Sequence, residues 1–196
     1  MKVVVFDFDG NITKKDTLLE FIKFSRGKCK FYLGFLLYSP MLVAYKVKLY
    51  SNWKVKQHIF SYFFKGVSID EFNEWGENFT EIVDQIIRPR AIAEIKKSIK
   101  EGDVVVINSA SIENWILPWA KKTGIEIVIA TKIEIDSTNK LTGKFLSENC
   151  YGKEKVNRLL ELFPVREEYE LWVYGDSRGD KELIEFAEKG WYNKFK

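Results

Sequence analysis

The chain begins with an apolar run that leads directly into acidic residues. Residues 3–6 read Val-Val-Val-Phe, and an uninterrupted run of this kind predicts a strand buried on both faces. Asp7 and Asp9 follow at the carboxyl end of this strand, and Gly10 allows a sharp turn. Open α/β sheets bind ligands at this edge, and adjacent carboxylates repel each other unless a cation or a shared proton is present. The stretch therefore predicts a functional site, with a solvated Asp-Gly turn as the alternative.

Residues 15–88 carry a helical pattern without strand-like alternation. The predicted features, in order, are a helix that starts at Asp16-Thr17 and ends at Gly27, helical structure over 28–66 with a break near Ser39-Pro40, and a helix that starts with the capping sequence Ser68-Ile69-Asp70-Glu71 and runs toward Ile87. Arg88-Pro89 marks the end of this segment.

After this boundary, strands alternate with helices. The predicted helices cover 91–100, 113–122, 153–162 and a region that starts near 180, and the predicted strands cover 104–107, 125–130, 171–174 and 191–192, with a hairpin over 132–136 and 141–146. The alternation predicts an α/β fold with a doubly wound parallel sheet. This core comprises residues 1–14 and 89–196, and the helical segment 15–88 is inserted after its first strand.

Four polar motifs lie at the predicted strand ends or helix starts of the core. They are Asp7-Phe8-Asp9, Asn108-Ser109-Ala110-Ser111, the segment 149–155 and the segment 174–180. The carboxylates suit Mg²⁺, and hydroxyls with the N–H groups of a predicted helix N-terminus suit an anion. Each motif alone could be a helix cap, a surface lysine or a turn. Together they predict phosphoryl transfer, in which a carboxylate nucleophile forms an aspartyl-phosphate.

These motifs, FDFDGNIT, VVVINSAS, GKEKVNRL and YGDSRGD, resemble in sequence and order those of the haloacid dehalogenase (HAD) superfamily of phosphotransferases. The resemblance covers the whole core. It implies a Rossmann-like HAD core, an α-helical cap domain formed by residues 15–88, and phosphatase activity.

The resemblance also implies a role for each motif residue. Asp7 would be the nucleophile that takes the phosphoryl group, and Asp9 the general acid and base. The remaining roles are phosphate binding by Ser109, Ala110 and Lys155, Mg²⁺ binding by Asp176 with the Asp7 carboxylate and the Asp9 backbone carbonyl, and support of the metal by Asp180. A cation, a lysine and oriented donors would stabilise the charge on the phosphoryl oxygens.

The motifs depart from the family's usual pattern at one position and are ambiguous at another. Asn11 stands where the first motif usually has Thr, which predicts an altered detail rather than a loss of function. In the third motif, Lys153 competes with Lys155 for the phosphate-binding role. We assign the role to Lys155, because it lies directly before the apolar Val156 of the predicted helix.

The helical segment resembles the cap of the phosphoserine-phosphatase-like branch of this superfamily. In phosphoserine phosphatases, an acidic residue at the place of Asp16 binds the amino group of the substrate. Asp16 is therefore a candidate substrate contact, and capping of the first helix is the alternative. Ala110-Ser111 stands where those enzymes tend to have Gly-Gly, which weakens the case for phosphoserine as substrate.

An uncharged stretch in the segment favours a different substrate. Residues 31–45 contain no charged side chain, and lysines flank them at positions 28, 30, 46 and 48. As a helix, the stretch would span about 22 Å, less than the roughly 30 Å hydrocarbon core of a bilayer. It suits an interfacial segment at anionic lipid, with burial in a helical bundle as the alternative.

A weaker resemblance connects the chain to lipid phosphatases of the phosphatidylglycerophosphatase C type. It rests on Leu36-Leu37 followed by Pro40, on the third motif from Cys150 to Val156, and on Trp191. It implies a lipid-like class of substrate.

The amino-acid composition excludes some kinds of site and favours one cellular compartment. One histidine and two cysteines, Cys29 and Cys150, exclude a His-rich zinc site and a disulfide framework, which favours a reducing cytoplasm. Asp7 and Asp9 interrupt the first apolar run too early for a signal peptide. Residues 15–65 hold ten Lys or Arg against two acids and 13 of the 30 aromatic residues, so the helical segment differs in character from the core.

These observations predict a Mg²⁺-dependent phosphomonoester hydrolase that acts on a substrate with a bulky or lipid-like portion. The alternatives are a soluble phosphatase of phosphoserine or another small metabolite and, in a different class, a non-catalytic scaffold that binds membrane. The expected partners are a phosphorylated small molecule or lipid and, peripherally, an anionic membrane at its cytoplasmic face. No groove-reading motif supports binding of nucleic acid.

Overall fold

In the computed structural model, a parallel five-stranded sheet with the strand order β3-β2-β1-β6-β7 has helices on both faces. The structure describes residues 1–46, 52–146 and 149–196. The strands of this sheet are β1 (Lys2–Phe6), β2 (Val104–Ile112), β3 (Ile127–Thr131), β6 (Glu170–Gly175) and β7 (Lys189–Tyr192), and a separate antiparallel pair consists of β4 (Ile133–Ile135) and β5 (Leu141–Phe145). All neighbours in the larger sheet run parallel, as the α/β alternation predicts.

The described helices follow the predicted order along the chain. They are α1 (Thr17–Arg26), α2 (Lys28–Leu37), α3 (Ser39–Lys46), α4 (Asn52–Phe64), α5 (Ile69–Asn78), α6 (Thr80–Ile86), α7 (Pro89–Lys100), α8 (Glu113–Thr123), α9 (Lys153–Leu162) and α10 (Lys181–Phe186). Helix α7 begins at Pro89, a residue suited to the first turn because its missing N–H has no helical partner there.

Strand β1 is the centre of the sheet because its side chains are apolar on both faces. Val3, Val4, Val5 and Phe6 are each fully buried. Val4 and Phe6 belong to one hydrophobic core, with side chains of α7 and α8, whereas Val3 and Val5 belong to a second core, with side chains of α9 and α10. The period of two along a strand therefore divides four residues between two helical layers.

Aromatic side chains connect the helical segment 15–88 to the core. The ring of Phe21, on α1, stacks on Trp115 of α8 with centroids 4.5 Å apart. It also contacts Phe72 and Phe79 edge-on at 5.3 Å and 5.2 Å. All four of these side chains are fully buried. The segment thus shares one hydrophobic core with the sheet, and its division from residues 1–14 and 89–196 as a cap domain stays a prediction.

The β4–β5 hairpin packs on the helical segment. Gly66 and Leu141 are joined by a backbone hydrogen bond of 2.8 Å, and the Leu141 N–H donates to Val67 O at the same distance. At the other end of β5, the Phe145 N–H donates to Gln57 Oε1 of α4 at 3.0 Å. Sequence patterns predicted the hairpin but not this contact with α4.

Strand β2 is longer than predicted, which corrects the interpretation of the second motif. The predicted strand ended at residue 107, and Ser109 and Ser111 were expected at a helix N-terminus. The strand in fact continues to Ile112, which pairs with Thr131 of β3, and α8 begins at Glu113. Polar residues do not end the strand, because buried partners satisfy them: the Asn108 amide, for example, donates to Lys155 O at 2.9 Å.

One predicted helix boundary in the segment 15–88 is present in the structure, and one predicted helix is divided in two. The break near Ser39-Pro40 is present, since α2 ends at Leu37 and α3 begins at Ser39. The helix predicted from 68 toward 87 is two helices, α5 and α6, which meet at Phe79.

The uncharged stretch 31–45 is divided between α2 and α3. Phe31 and Gly34 face the interior, whereas large side chains on the opposite side are exposed: Tyr32, Leu33, Leu36 and Leu37. Residues 47–51, which include one of the flanking lysines, and residues 147–148 lie outside the described residues. In the described part of the chain, no helix combines the length and the apolar character that crossing a bilayer requires.

We expect Phe21→Ala to lower the free energy of unfolding by about 3–5 kcal/mol, because it removes a fully buried ring at the junction of the helical segment and α8. Urea denaturation measures the change. Phe24→Ala is the matched control: its ring lies on the same helix but is 39% exposed, and we expect less than half of that effect. Equal losses for the two variants would show that Phe21 does not connect these elements.

Candidate active site

The first motif lies between two neighbouring strands. In the sheet register, Phe6 of β1 pairs with Ile107 of β2 on one side and with Tyr174 of β6 on the other. The Asp7 N–H donates to Tyr174 O at 2.9 Å, which fixes Asp7 at the carboxyl end of the sheet. The chain proceeds from β1 to β2 on one side and later to β6 on the other, so this is the topological switch point where such sheets bind ligands.

A buried lysine joins two aspartates at this edge. Lys155 Nζ donates to Asp7 Oδ1 at 2.8 Å and to Asp180 Oδ1 at 2.5 Å. The Lys155 side chain is 2% exposed, whereas Lys153 is exposed to solvent. Burial alone would disfavour the ammonium, but the two carboxylates outweigh it, so the pKa of Lys155 is raised. Lys155 therefore remains charged beside the predicted nucleophile.

The two aspartates respond differently to the same lysine. Burial raises the pKa of Asp7 to about 8, against the opposing effect of Lys155 and with a further rise from the nearby Asp180 charge. Burial also acts on Asp180, but Lys155 and the N–H groups of Asp176 and Ser177 outweigh it, so its pKa is lowered. Asp180 Oδ2 accepts from these two N–H groups at 3.0 Å and 2.9 Å. Asp180 thus holds both Lys155 and the loop of the fourth motif.

Three carboxylates form an acidic cluster that fits a hard cation. Asp7, Asp176 and Asp180 each place one oxygen within 4.8 Å of the others. Gly10 makes room for this arrangement, because a β-carbon at its position would lie 2.1 Å from Asp176 Oδ2. The Lys196 ammonium already contacts that oxygen at 3.0 Å. Carboxylate oxygens are the ligands that Mg²⁺ prefers, so the donor set fits that ion.

The carboxylate of Asp9 is held apart from this cluster by two hydroxyl groups. Thr17, at the start of α1, donates from its Oγ1 and its N–H to Asp9 Oδ1, at 2.6 Å and 2.9 Å. Ser111 Oγ donates to Asp9 Oδ2 at 2.7 Å. The indole N–H of Trp115 in turn donates to Thr17 Oγ1 at 3.1 Å. This network fixes the direction of the carboxylate next to the predicted nucleophile.

The pKa of Asp9 is raised to about 6. Burial is the main cause, and the negative charge of Asp16 adds to it. The hydrogen bonds from Thr17 and Ser111 and the positive charge of Lys56 oppose the rise. A carboxyl with this pKa can both hold and release a proton near neutral pH, as a general acid and base must.

The second motif contributes a buried hydroxyl. Ser109 is 1% exposed, and its Oγ accepts from the Ser111 N–H at 3.1 Å. The Ala110 carbonyl accepts from Thr131 Oγ1 at 2.9 Å and from Lys56 Nζ, on α4, at 2.6 Å. The motif therefore lies on an extended strand end that a lysine of the helical segment contacts, and the predicted helix N-terminus is absent from this position.

A cavity of about 710 Å³ opens above these residues. The predicted site residues Asp7, Asp9, Ser109, Ala110, Lys155 and Asp176 all line it. Its other wall consists of apolar side chains of the helical segment, namely Leu18, Leu19, Phe35, Val55 and Ile59. The cavity thus combines a charged floor with an apolar wall.

Asp16 and Asn11, the predicted substrate contact and the departure from the usual first motif, each make a defined hydrogen bond. Asp16 is exposed and caps α1, since its Oδ1 accepts from the Leu19 N–H at 3.1 Å, and it also lines the cavity. Asn11 is buried, and its side-chain amide donates to Tyr174 O at 2.5 Å, which connects the loops of the first and fourth motifs.

Sequence reasoning missed several contacts of the site. Three of these contacts, from Trp115, Lys56 and Lys196, come from elements distant in the chain from the first motif. Thr17 lies only eight residues after Asp9, and none of the four residues belongs to a motif. Ser111 had a usable signal: in an extended strand, Ser109 and Ser111 share one face, so both hydroxyls can reach the same site.

This arrangement is that of an α/β enzyme with a carboxylate–lysine centre at the carboxyl edge of its parallel sheet. The family model of the haloacid dehalogenase-like hydrolases matches residues 4–185. The chain belongs to this family. The predicted superfamily, fold class and hydrolase class are therefore confirmed.

Several known proteins are similar to this chain in sequence or in fold. Protein CicA of Caulobacter vibrioides (strain NA1000 / CB15N) is 31% identical over 195 residues, which are 99% of this chain and 86% of that protein. A structure of a protein of unknown function from Bordetella pertussis Tohama I has a TM-score of 0.82 at 18% identity, over 95% of this chain and 86% of that one. A phospho-aspartyl intermediate analogue of phosphoserine phosphatase has a TM-score of 0.64 at 17% identity, over 98% and 85% of the two chains. The two structures share the fold of this chain.

In the presence of a chelator, we expect Asp7→Asn to stabilise the protein, and increasingly so as pH rises. The folded pKa of Asp7 is about 8 and the ordinary value is 3.8, so between these values the folded state keeps a proton that the unfolded state has released. The wild-type protein therefore loses stability as pH rises through this window, whereas the Asn variant has no such proton. Thermal unfolding at about pH 5 and about pH 8 should show a growing advantage that reaches about 1 kcal/mol or more.

The exposed Asp70 supplies the control for this experiment. Asp70→Asn makes the same chemical change on the surface and should alter stability by less than about 0.5 kcal/mol at either pH. An Asp7→Asn effect that is independent of pH would contradict the raised pKa of Asp7.

Proposed function

We propose that the protein is a Mg²⁺-dependent phosphomonoester hydrolase that forms an aspartyl-phosphate on Asp7. The observation that carries the proposal is the contact of Lys155 with Asp7 at the switch point of the sheet, with Asp9 held separately by hydroxyl groups. This arrangement supports a role for Asp7 as the nucleophile beside a cation and a role for Asp9 in proton transfer.

In the first step, a carboxylate oxygen of Asp7 attacks phosphorus, and the bond from phosphorus to the leaving oxygen breaks. Asp9 gives its proton to that oxygen, so the product leaves as an alcohol. Lys155 and the Ser109 hydroxyl donate to the phosphoryl oxygens, on which negative charge is spread in the transition state. Bound Mg²⁺, held by Asp7 and Asp176, would supply further positive charge at these oxygens.

In the second step, Asp9 takes a proton from a water molecule, which attacks phosphorus. The bond between phosphorus and the Asp7 oxygen breaks, inorganic phosphate leaves, and Asp7 returns as a carboxylate. The phosphoserine phosphatase of similar fold, described as a phospho-aspartyl intermediate analogue, supports this two-step scheme by analogy. Asp180 supports both steps indirectly, because it orients Lys155 and the loop that carries Asp176.

We expect Asp7→Asn to reduce phosphate release by about 1,000-fold or more, because an amide cannot form the covalent intermediate. The assay uses Mg²⁺ and a panel of phosphatidylglycerophosphate, phosphatidate, phosphoserine and sugar phosphates, and Asp70→Asn is the control with unchanged activity. Full turnover by Asp7→Asn would exclude the aspartyl-phosphate. A preference for phosphoserine would favour a metabolite phosphatase, and lipid binding without any hydrolysis would favour a scaffold.

The substrate that we infer has a bulky or lipid-like portion. The apolar wall of the cavity supports this inference, because Leu18, Phe35 and Ile59 would contact the part of the substrate beyond its phosphoryl group. A small polar metabolite would leave this wall in contact with water, which costs free energy in proportion to its area.

The helical segment also has a surface suited to an anionic membrane. Leu33, Leu36 and Leu37 of α2 are 62%, 71% and 63% exposed, and Tyr32 beside them is 65% exposed. The sequence from residue 21 to residue 69 contains no acidic residue, and Lys28 and Lys30 lie at the start of the same helix. Exposed apolar side chains bordered by lysines bind the interface of a bilayer with anionic lipid. We infer a peripheral contact of α2 with such a membrane.

We expect Leu36→Glu to lower the partition coefficient onto phosphatidylglycerol-containing vesicles by about tenfold or more, because it replaces a leucine that enters the interface with a charge. Co-sedimentation at low and high salt measures it. Leu162→Glu, at a leucine 53% exposed on α9, should have no effect. Equal effects of the two variants, or wild-type binding that ignores anionic lipid, would refute the membrane contact.

A further inference from the structure

The cavity contains a lysine, Lys56, to which the proposed reaction assigns no contact with the phosphoryl group. Lys56 lies on α4, next to the buried Val55 and one helical turn before the buried Ile59, and is itself half-buried. Its ammonium nitrogen donates to Ala110 O at 2.6 Å. Ala110 follows directly on Ser109, so the ammonium lies beside the place where the phosphoryl group would bind.

The other cations of the cavity differ from Lys56 in their partners. Lys155 pairs with two aspartates, Lys15 lies 3.7 Å from Glu20, and Arg178 lies 3.5 Å from Glu182. Within the described residues, Lys56 has no acidic group within ion-pair distance and bonds only to a neutral carbonyl. Lys14 also has no acidic group within ion-pair distance among the described residues, but its side chain is exposed to water.

An ammonium group can donate three hydrogen bonds, and the Ala110 carbonyl accepts one of those of Lys56. The Asp9 carboxylate acts on Lys56 only from beyond ion-pair distance. A half-buried ammonium in this position favours an anionic ligand, since an anion restores the interactions that burial removed. The phosphoryl group itself already has Lys155, Ser109 and the acidic cluster with its cation. The positive charge of Lys56 is therefore available to another part of the bound molecule.

We propose that Lys56 determines specificity by binding a second anionic group of the substrate, so that the preferred substrate is a phosphomonoester with an additional acidic group next to its apolar portion. This inference rests on the function proposed above. A phosphodiester or a carboxylate would both satisfy it, because each offers oxygen acceptors to the ammonium. A lysine that merely fastened α4 to β2 would instead affect all substrates alike.

Two matched pairs of substrates test the inference. Phosphatidylglycerophosphate and phosphatidate share their acyl chains, but the first adds a phosphodiester. The pair 3-phosphoglycerate and glycerol 3-phosphate differs by a carboxylate and lacks an apolar part. For each pair, the ratio of kcat/KM for the member with two anionic groups to that for the member with one is measured in the wild type and in Lys56→Gln.

We expect the wild type to prefer the member with two anionic groups in at least one pair, and Lys56→Gln to lower that ratio by about 10- to 100-fold, chiefly through KM. Lys56→Arg should recover most of the ratio, and Lys54→Gln, at an exposed lysine of the same helix, should leave it unchanged. The pair that responds identifies the second group as phosphodiester or carboxylate.

Two results would overturn the inference alone: no preference in the wild type, or an unchanged ratio in Lys56→Gln while turnover of both members falls together. The first would mean that the cavity does not select a second anion, and the second that Lys56 serves the phosphoryl group or the fold. Phenyl phosphate serves as a fifth, simple substrate. If the wild type releases phosphate neither from the four compounds nor from phenyl phosphate, the proposed function fails, and the inference fails with it.

Discussion

The site depends on one buried interaction, the contact of the Lys155 ammonium with the carboxylates of Asp7 and Asp180. The lysine and Asp7 are 148 residues apart in sequence, and each of the three side chains lies almost entirely out of water. Removal of Lys155 leaves two buried carboxylates without their counter-charge, which costs several kcal/mol, about 3–5. Burial, to which the negative charge of Asp180 adds, is why the raised pKa lets Asp7 hold its proton to higher pH than an ordinary carboxyl.

This interaction can form only because β1 occupies the centre of the sheet. The apolar side chains of β1 pack against helices on both faces of the sheet. The chain therefore leaves β1 at the carboxyl edge of the sheet, between the ends of β2 and β6. Polar residues at the ends of these strands therefore become neighbours in space although they are far apart in the sequence. Gly10 illustrates how closely they meet, because no side chain larger than hydrogen fits beside the Asp176 carboxylate.

The helical segment contacts residues of the proposed site and also lines its cavity. Thr17 binds the Asp9 carboxylate from the first turn of α1, and Lys56 reaches the Ala110 carbonyl from α4. The same segment supplies the apolar wall of the cavity and an exposed surface on α2. One group of helices therefore holds the proposed acid–base residue, lines the cavity and carries the surface proposed to contact a membrane, and the Phe21 ring joins this group to the core.

The sequence by itself determined the order of strands and helices, the family and the residues at the strand ends, since these follow from local periodicity and from four short motifs. The bounds of α9 follow from the sequence as observed, and so does the burial of Lys155 rather than Lys153, because burial of one helix face can be read from the apolar residues beside it. The sequence could not give the length of β2, because Asn108 and the residues after it stay extended only through partners supplied by other elements. Only the tertiary structure decided the partners of Asp9 and the place of Lys56, because long-range contacts between polar side chains leave no periodic trace in the chain.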